Sequence, residues 1–190
     1  MLKPLYRVSA PIRAVILWFG FLAALWVVFG IAYLTHPQAW TEVSIIPRQS
    51  GWEVFGYIIG RNALLLLFIA AGNLFIRFGS ITPGLLILVV QAVIIGWTAG
   101  TNSFMEPFPS AAQANFAFLR IGLWEVTAYA LICAVTLPKS LLITSTFPAK
   151  QWDQQRMLKD IRFTKSEWVI TAASLLCLIG AAYVEAFNPI

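Results

Sequence analysis

The chain has 190 residues, of which 59% are hydrophobic and 11% charged, and a formal net charge of +5. A soluble domain is nearer half apolar and a quarter charged, so the composition excludes a domain surrounded by water and points to residues facing lipid or other membrane helices. The basic residues flank apolar blocks and form no patch of their own, which excludes a nucleic-acid partner and favours anionic lipid headgroups.

Val15 to Leu34 is an unbroken apolar run of 20 residues. At 1.5 Å per residue it crosses a hydrocarbon core of about 30 Å. It is longer than the core of a cleaved signal peptide, and no small-x-small site follows it. Residues 15–34 therefore read as a retained first span. The connection from Thr35 to Glu53 is polar, with Trp40 and Trp52 placed for a belt at headgroup level.

The second block runs from Val54 to Ile76 and is interrupted by Arg61-Asn62. The expected span is 57–76, with residues 54–60 lying in the interface, in a short separate helix or in the span itself. Gly56 and Gly60 form a GxxxG pair, which lets helix backbones approach. Gly72, Gly96 and Gly122 are further candidates for helix packing. Arg77 to Thr82 is a tight turn, and Pro83 suits the first turn of a third span over 83–97. A loop carrying glycine and proline follows. The fourth span is expected over 117–137 and ends at Pro138. Residues 150–165 carry most of the remaining charge; Trp152, Leu158 and Ile161 fit one helical face and predict a cytoplasmic amphipathic segment. Thr164 and Glu167 form a capping box for the last span, 168–184.

The expected fold is thus an all-α, polytopic transmembrane bundle of five spans in one integral membrane domain. The orientation follows from charge. With the N-terminus cytoplasmic, Lys3, Arg7, Arg13, Arg77, Lys139, Lys150, Arg156, Lys159, Arg162 and Lys165 are inside, while only Arg48 and Arg61 are outside. Cytoplasmic loops retain Lys and Arg, so the C-terminus is expected outside.

Polar residues at membrane depth are default candidates for a site. Here they are Arg61, Asn62, Asn73, Gln91, Arg120 and Glu125. Arg120 and Glu125 are five residues apart, which turns a helix by about 500° and sends them to different faces. Glu125 is expected to point into the bundle, with Arg61, Asn62, Asn73 and Gln91 as possible partners. It serves either as an interhelical clamp or as a proton or cation site on a path. The single histidine, His36, lies in a loop, and Cys133 and Cys177 sit in apolar blocks without metal-ligand spacing. No nucleophile triad or phosphate-cradling GxxxxGK[ST] is present. Neither an enzyme activity, a metal nor a cofactor is expected, beyond bound lipid.

The stretch from Gly60 to Lys139 resembles the stage II sporulation protein M family. The resemblance rests on Arg61-Asn62-Ala63-Leu64 opening a span, Gly72 and Gly79, a span closing with Ile95-Gly96, and Gly122-Leu123-Trp124-Glu125. The chain departs from that pattern at Ile121, where a histidine is usual, at Arg61, where an asparagine is usual, and at Gly96, which lacks the usual preceding asparagine. The resemblance implies a polytopic membrane protein that works with partners. The sporulating-cell member anchors a cell-wall-remodelling complex, and relatives occur beside exporter-type membrane proteins. For Asn62, Gly122 and Glu125 it implies a structural role.

The expected function is a non-enzymatic, membrane-embedded subunit or scaffold of a multiprotein complex. The alternative is a transporter or exporter accessory subunit with Glu125 at membrane depth. The expected location is a bacterial plasma membrane or a thylakoid-like internal membrane.

Overall fold

The computed structural model describes residues 3–40 and 50–188. Arg48 lies outside the described residues. Among those described, five helical stretches are long and apolar enough to cross a membrane: Ala10–Thr35, Trp52–Phe75, Pro83–Gly100, Ala111–Lys139 and Lys165–Phe187. The protein is an all-α integral membrane bundle. Helix α1 is Ala10–Thr35, α2 is Trp52–Phe75 and α3 is Pro83–Gly100. The fourth span is composite. It consists of α4 (Ala111–Ala117), a π-helical turn (Phe118–Gly122), α5 (Leu123–Thr136) and a 3₁₀ turn (Leu137–Lys139). Helix α6 is Lys165–Phe187.

Helix α5 is the centre. It packs against α1, α2, α3 and α6, while α1 pairs with α3 and α2 touches both α3 and α6. Its residues Val126, Ala128, Tyr129, Ala130, Cys133, Ala134 and Val135 are all buried. The outer helices instead expose Val15, Phe19, Leu67, Val89 and Leu176. Apolar groups turned outward are what lipid accepts and water does not.

Small residues set the closest approaches. A Cβ on Gly100 would sit 2.6 Å from Ala32 Cβ, and one on Gly96 would strike the carbonyl of Leu25, so these two glycines let α3 lie against α1. Gly72 does the same for α2 and the start of α3, where a Cβ would meet the backbone of Gly84. Gly56 and Gly60 differ from expectation: a Cβ on either meets nothing within 4 Å. Their face of α2 points away from the neighbouring helices, so the GxxxG pair packs against nothing among the described residues. Gly122 also packs locally rather than between helices, because a Cβ there would meet the ring of Phe118 at 2.8 Å.

Helix ends differ from the expected spans in instructive ways. Helix α1 starts at Ala10 and includes Arg13, which is 4% exposed. That charge does not end the helix because Arg13 donates Nε to Leu5 O (2.8 Å), one terminal nitrogen to Val8 O (2.7 Å) and the other to Ala134 O. Helix α2 runs unbroken through Arg61-Asn62, so residues 54–60 belong to it. Thr82 caps α3 by accepting from Leu85 N at 3.1 Å, with Pro83 in the first turn. Thr164 and Glu167 form the capping box of α6.

A small sheet closes the end where α2 and α5 stop. Strand β1 (Ile76–Phe78) pairs in parallel with β2 (Leu142–Thr144), which pairs antiparallel with β3 (Asp153–Gln154). Ser140 Oγ donates to Asn73 O at 2.7 Å and Leu141 N to Leu74 O at 2.7 Å, so the chain after α5 takes up carbonyls that α2 leaves open. Residues 150–165 are not an amphipathic helix. They hold β3 and a single 3₁₀ turn, Leu158–Asp160. Pairing with β2 claims the backbone, and Trp152 packs edge-on to Phe78 at 5.4 Å instead of sharing a helical stripe.

Candidate functional site

The site begins with a local irregularity. In the π-helical turn the N–H of Leu123 reaches back five residues to Phe118 O. Such turns are uncommon within α-helices and concentrate at functional positions. This one brings Phe118 against Trp26 of α1, centroids 5.8 Å apart, and places Glu125 in the first turn of α5. There Asn62 of α2 donates Nδ2 to Glu125 Oε1. Of the partners expected for Glu125, Asn62 is the one that bonds it.

Glu125 lies in the wall of a cavity of about 790 Å³ in the half of the bundle remote from the sheet. Apolar walls come from Leu25, Trp26 and Phe29 of α1, Ile95 of α3 and Phe118. Charge comes from Glu53, Glu106, Glu125 and Glu185 and from Arg61. Arg61 is exposed; its guanidinium lies 5.7 Å from the ring centroid of Tyr57, and its hydrogen bond to Tyr57 Oη is 3.4 Å. The volume is in the range of small-molecule sites. Mixed polar and aromatic walls suit a ligand with one charged end and an apolar body.

The other polar residues expected at depth are not part of this cavity. Asn73 lies eleven residues after Asn62 on α2, roughly 16 Å further along the axis. It is fully buried, donates to Thr136 Oγ1 at 2.9 Å and accepts from Thr82 Oγ1 at 2.5 Å, which clamps α2, α3 and α5 together. Gln91 is half-buried on α3 and lines no part of the cavity. Arg120 is exposed on the π-helical turn and does not pair with Glu125. His36 ends α1, its N–H donating to Ala32 O at 3.0 Å, with its ring edge-on to Trp97 at 5.3 Å.

Two buried cations, Lys139 and Arg13, carry more of the architecture than their sequence context suggests. Lys139 donates to Glu167 Oε2 at 3.0 Å and to Arg162 O at 2.8 Å, with Phe163 beneath it at 4.8 Å. The pair joins the end of the fourth span to the start of the last. Arg13 was visible only as a basic residue preceding an apolar run, and Lys139 only as one following Pro138. Among the described residues, no group of three or more His, Cys, Asp or Glu side chains is placed to hold a metal ion.

Comparison with protein-family models, with curated proteins and with solved structures finds no match to this chain.

Proposed function

We propose that this membrane protein is a non-enzymatic subunit of a larger membrane complex, serving transport as an accessory subunit rather than as an inert scaffold. The observation that carries the reading is the cavity of about 790 Å³ with Glu125, the acceptor of the Asn62 bond, in its wall. A bundle that only holds partners together is served by small residues and neutral hydrogen-bonding side chains at its interfaces. A carboxylate beside an open volume at membrane depth suits a bundle that admits a polar species. The end opposite the cavity is tied by Asn73, Thr82 and Thr136 and by Lys139–Glu167. With the N-terminus cytoplasmic, the cavity lies in the outer half of a bacterial plasma membrane or a thylakoid-like internal membrane.

The scaffold remains the second reading, favoured by the same Asn62–Glu125 bond taken as a clamp that fixes the register of α2 against α5. Purification in mild detergent followed by mass measurement tests both. A complex is expected, and a stable monomer with no co-purifying protein overturns both readings. In the complex, Glu125→Gln is expected to keep assembly and to abolish flux of the co-purifying transporter's substrate. Intact flux in that variant overturns the accessory reading, and loss of assembly favours the scaffold.

A further inference from the structure

The sheet end offers a second and independent surface. Arg77, in the middle of β1, holds its guanidinium carbon 4.5 Å from the ring centroid of Tyr6. The ring is held in turn, because Tyr6 Oη donates to Ser80 O at 3.2 Å. Burial pushes the Tyr6 phenol up to about 12, so the platform stays neutral. Arg77 Nε is shut off from solvent and has no acceptor among the described residues. A guanidinium stacked on an aromatic face keeps its terminal in-plane N–H groups for a partner with two acceptor oxygens, and a tetrahedral phosphate supplies two.

The sheet sets a basic strap beside this group. Arg77 is in register with Ile143, and Ile143 with Asp153, which puts Asp153 two strands away, roughly 10 Å. From 147 to 165 the strap carries Lys150, Arg156, Lys159, Arg162 and Lys165 against Asp153 and Asp160. Lys150, Lys159, Arg162 and Lys165 are exposed, as is Arg7 on the neighbouring N-terminal turn. Between these charges stand large apolar side chains turned outward: Phe147 is 84% exposed, Leu158 66%, Met157 53% and Trp152 42%.

We propose that this end of the bundle docks on an anionic phospholipid leaflet, with Arg77 as the group that holds a lipid phosphate and the strap as a flanking wedge. The surface adjoins the ends of helices long enough to cross a membrane, so a bilayer around the bundle brings headgroups to it. Its excess of basic over acidic residues complements anionic headgroups, and aromatic and aliphatic side chains between the charges suit the boundary of headgroup and acyl chain. An acidic soluble partner would use the charges and leave those apolar groups in water.

Native mass spectrometry of the delipidated full chain, with phosphatidylglycerol, phosphatidylcholine or inorganic phosphate added back, tests the proposal. Wild type is expected to retain phosphatidylglycerol in preference to phosphatidylcholine. Arg77→Gln is expected to weaken that retention about fivefold, the factor that corresponds to one basic residue at an anionic surface. Arg77→Lys should recover part of it, because a point charge replaces the planar fork. Lys150→Gln, Lys159→Gln and Lys165→Gln together, all at exposed positions, should weaken it further and flatten its dependence on salt. Equal retention of the two lipids overturns the anionic surface. Unchanged retention in Arg77→Gln overturns the role of Arg77. Displacement of phosphatidylglycerol by millimolar inorganic phosphate assigns the site to free phosphate and overturns the leaflet. Should Arg77→Gln fail to fold, the triple variant decides, and unchanged phosphatidylglycerol retention in it overturns the docking surface.

Discussion

The amide of Asn62 and the carboxylate of Glu125 meet across a sequence separation of 63 residues, joining α2 to the central helix at the edge of the cavity. Each satisfies the other where lipid and apolar side chains would satisfy neither.

Removing one partner of that bond exposes its value. Glu125→Ala is expected to lower stability in detergent by about 1–3 kcal/mol, the cost of an amide left without its acceptor. Glu125→Gln should be milder, since the new amide fills the same space and still accepts from Asn62. Thermal melts of the three proteins in one detergent check this, and an Ala variant that melts at or above wild type contradicts it.

The Lys139–Glu167 pair, with side chains 8% and 9% exposed, should behave as a unit. Breaking a buried pair by removing one member costs about 3–5 kcal/mol, because the other charge remains buried and unpaired. Lys139→Met and Glu167→Gln should each be strongly destabilising, while the double variant recovers much of the loss. A double-mutant cycle on urea or thermal unfolding measures the coupling. Strictly additive losses would show that the two side chains act separately.

Glycine substitutions should separate two faces of the bundle. Gly96→Leu and Gly100→Leu should loosen or unfold the protein, since even a Cβ at these positions runs into α1. Gly56→Ala and Gly60→Ala meet open space and should be neutral or stabilising by up to about 1 kcal/mol each, the helix-propensity difference. Loss of stability in Gly56→Ala would reveal a neighbour beyond the described residues.

Orientation is open to direct labelling. In a chain with Cys133 and Cys177 replaced by alanine, a cysteine at exposed Ser103 should react with an impermeant thiol reagent on intact cells. A cysteine at exposed Gln154 should react only after permeabilisation. The reverse pattern would invert the orientation that the basic residues imply.

Alkaline pH should act through Tyr6. Its folded-state value of about 12 stands above the ordinary value of 10.0, so the contribution is fully present below pH 10 and is lost as pH rises towards 12. Absorbance at the phenolate band, taken as wild type minus Tyr6→Phe, should show one tyrosine titrating late. A Tyr6 that titrates with the exposed tyrosines would contradict its burial.

The five spans were legible because a 20-residue apolar run such as Val15–Leu34 has few alternatives in length or composition. Their limits were less so, because charge does not stop a helix whose side chain finds carbonyls, as Arg13 does in α1. Arg61-Asn62 looked like a break for the same reason, yet Asn62 faces Glu125 and Arg61 lines the cavity. Trp152, Leu158 and Ile161 matched a helical period by spacing alone, and only the non-local pairing of Asp153 with Ile143 decides against it. The contact of Lys139 with Glu167 spans 28 residues, and nothing in either local sequence announces it.

The central place of α5 has a consequence for how the protein is made. Helices α1, α2 and α3 leave the ribosome before the helix that forms their common core. Asn73 can find Thr82 as soon as the α2–α3 hairpin exists, nine residues on, but its other partner, Thr136, arrives much later. Asn62 has a longer wait, since Glu125 emerges 63 residues after it. Until then an amide at membrane depth has neither water nor a side chain to satisfy it. Translation halted between α3 and α5 should therefore leave an intermediate that insertion machinery must shelter.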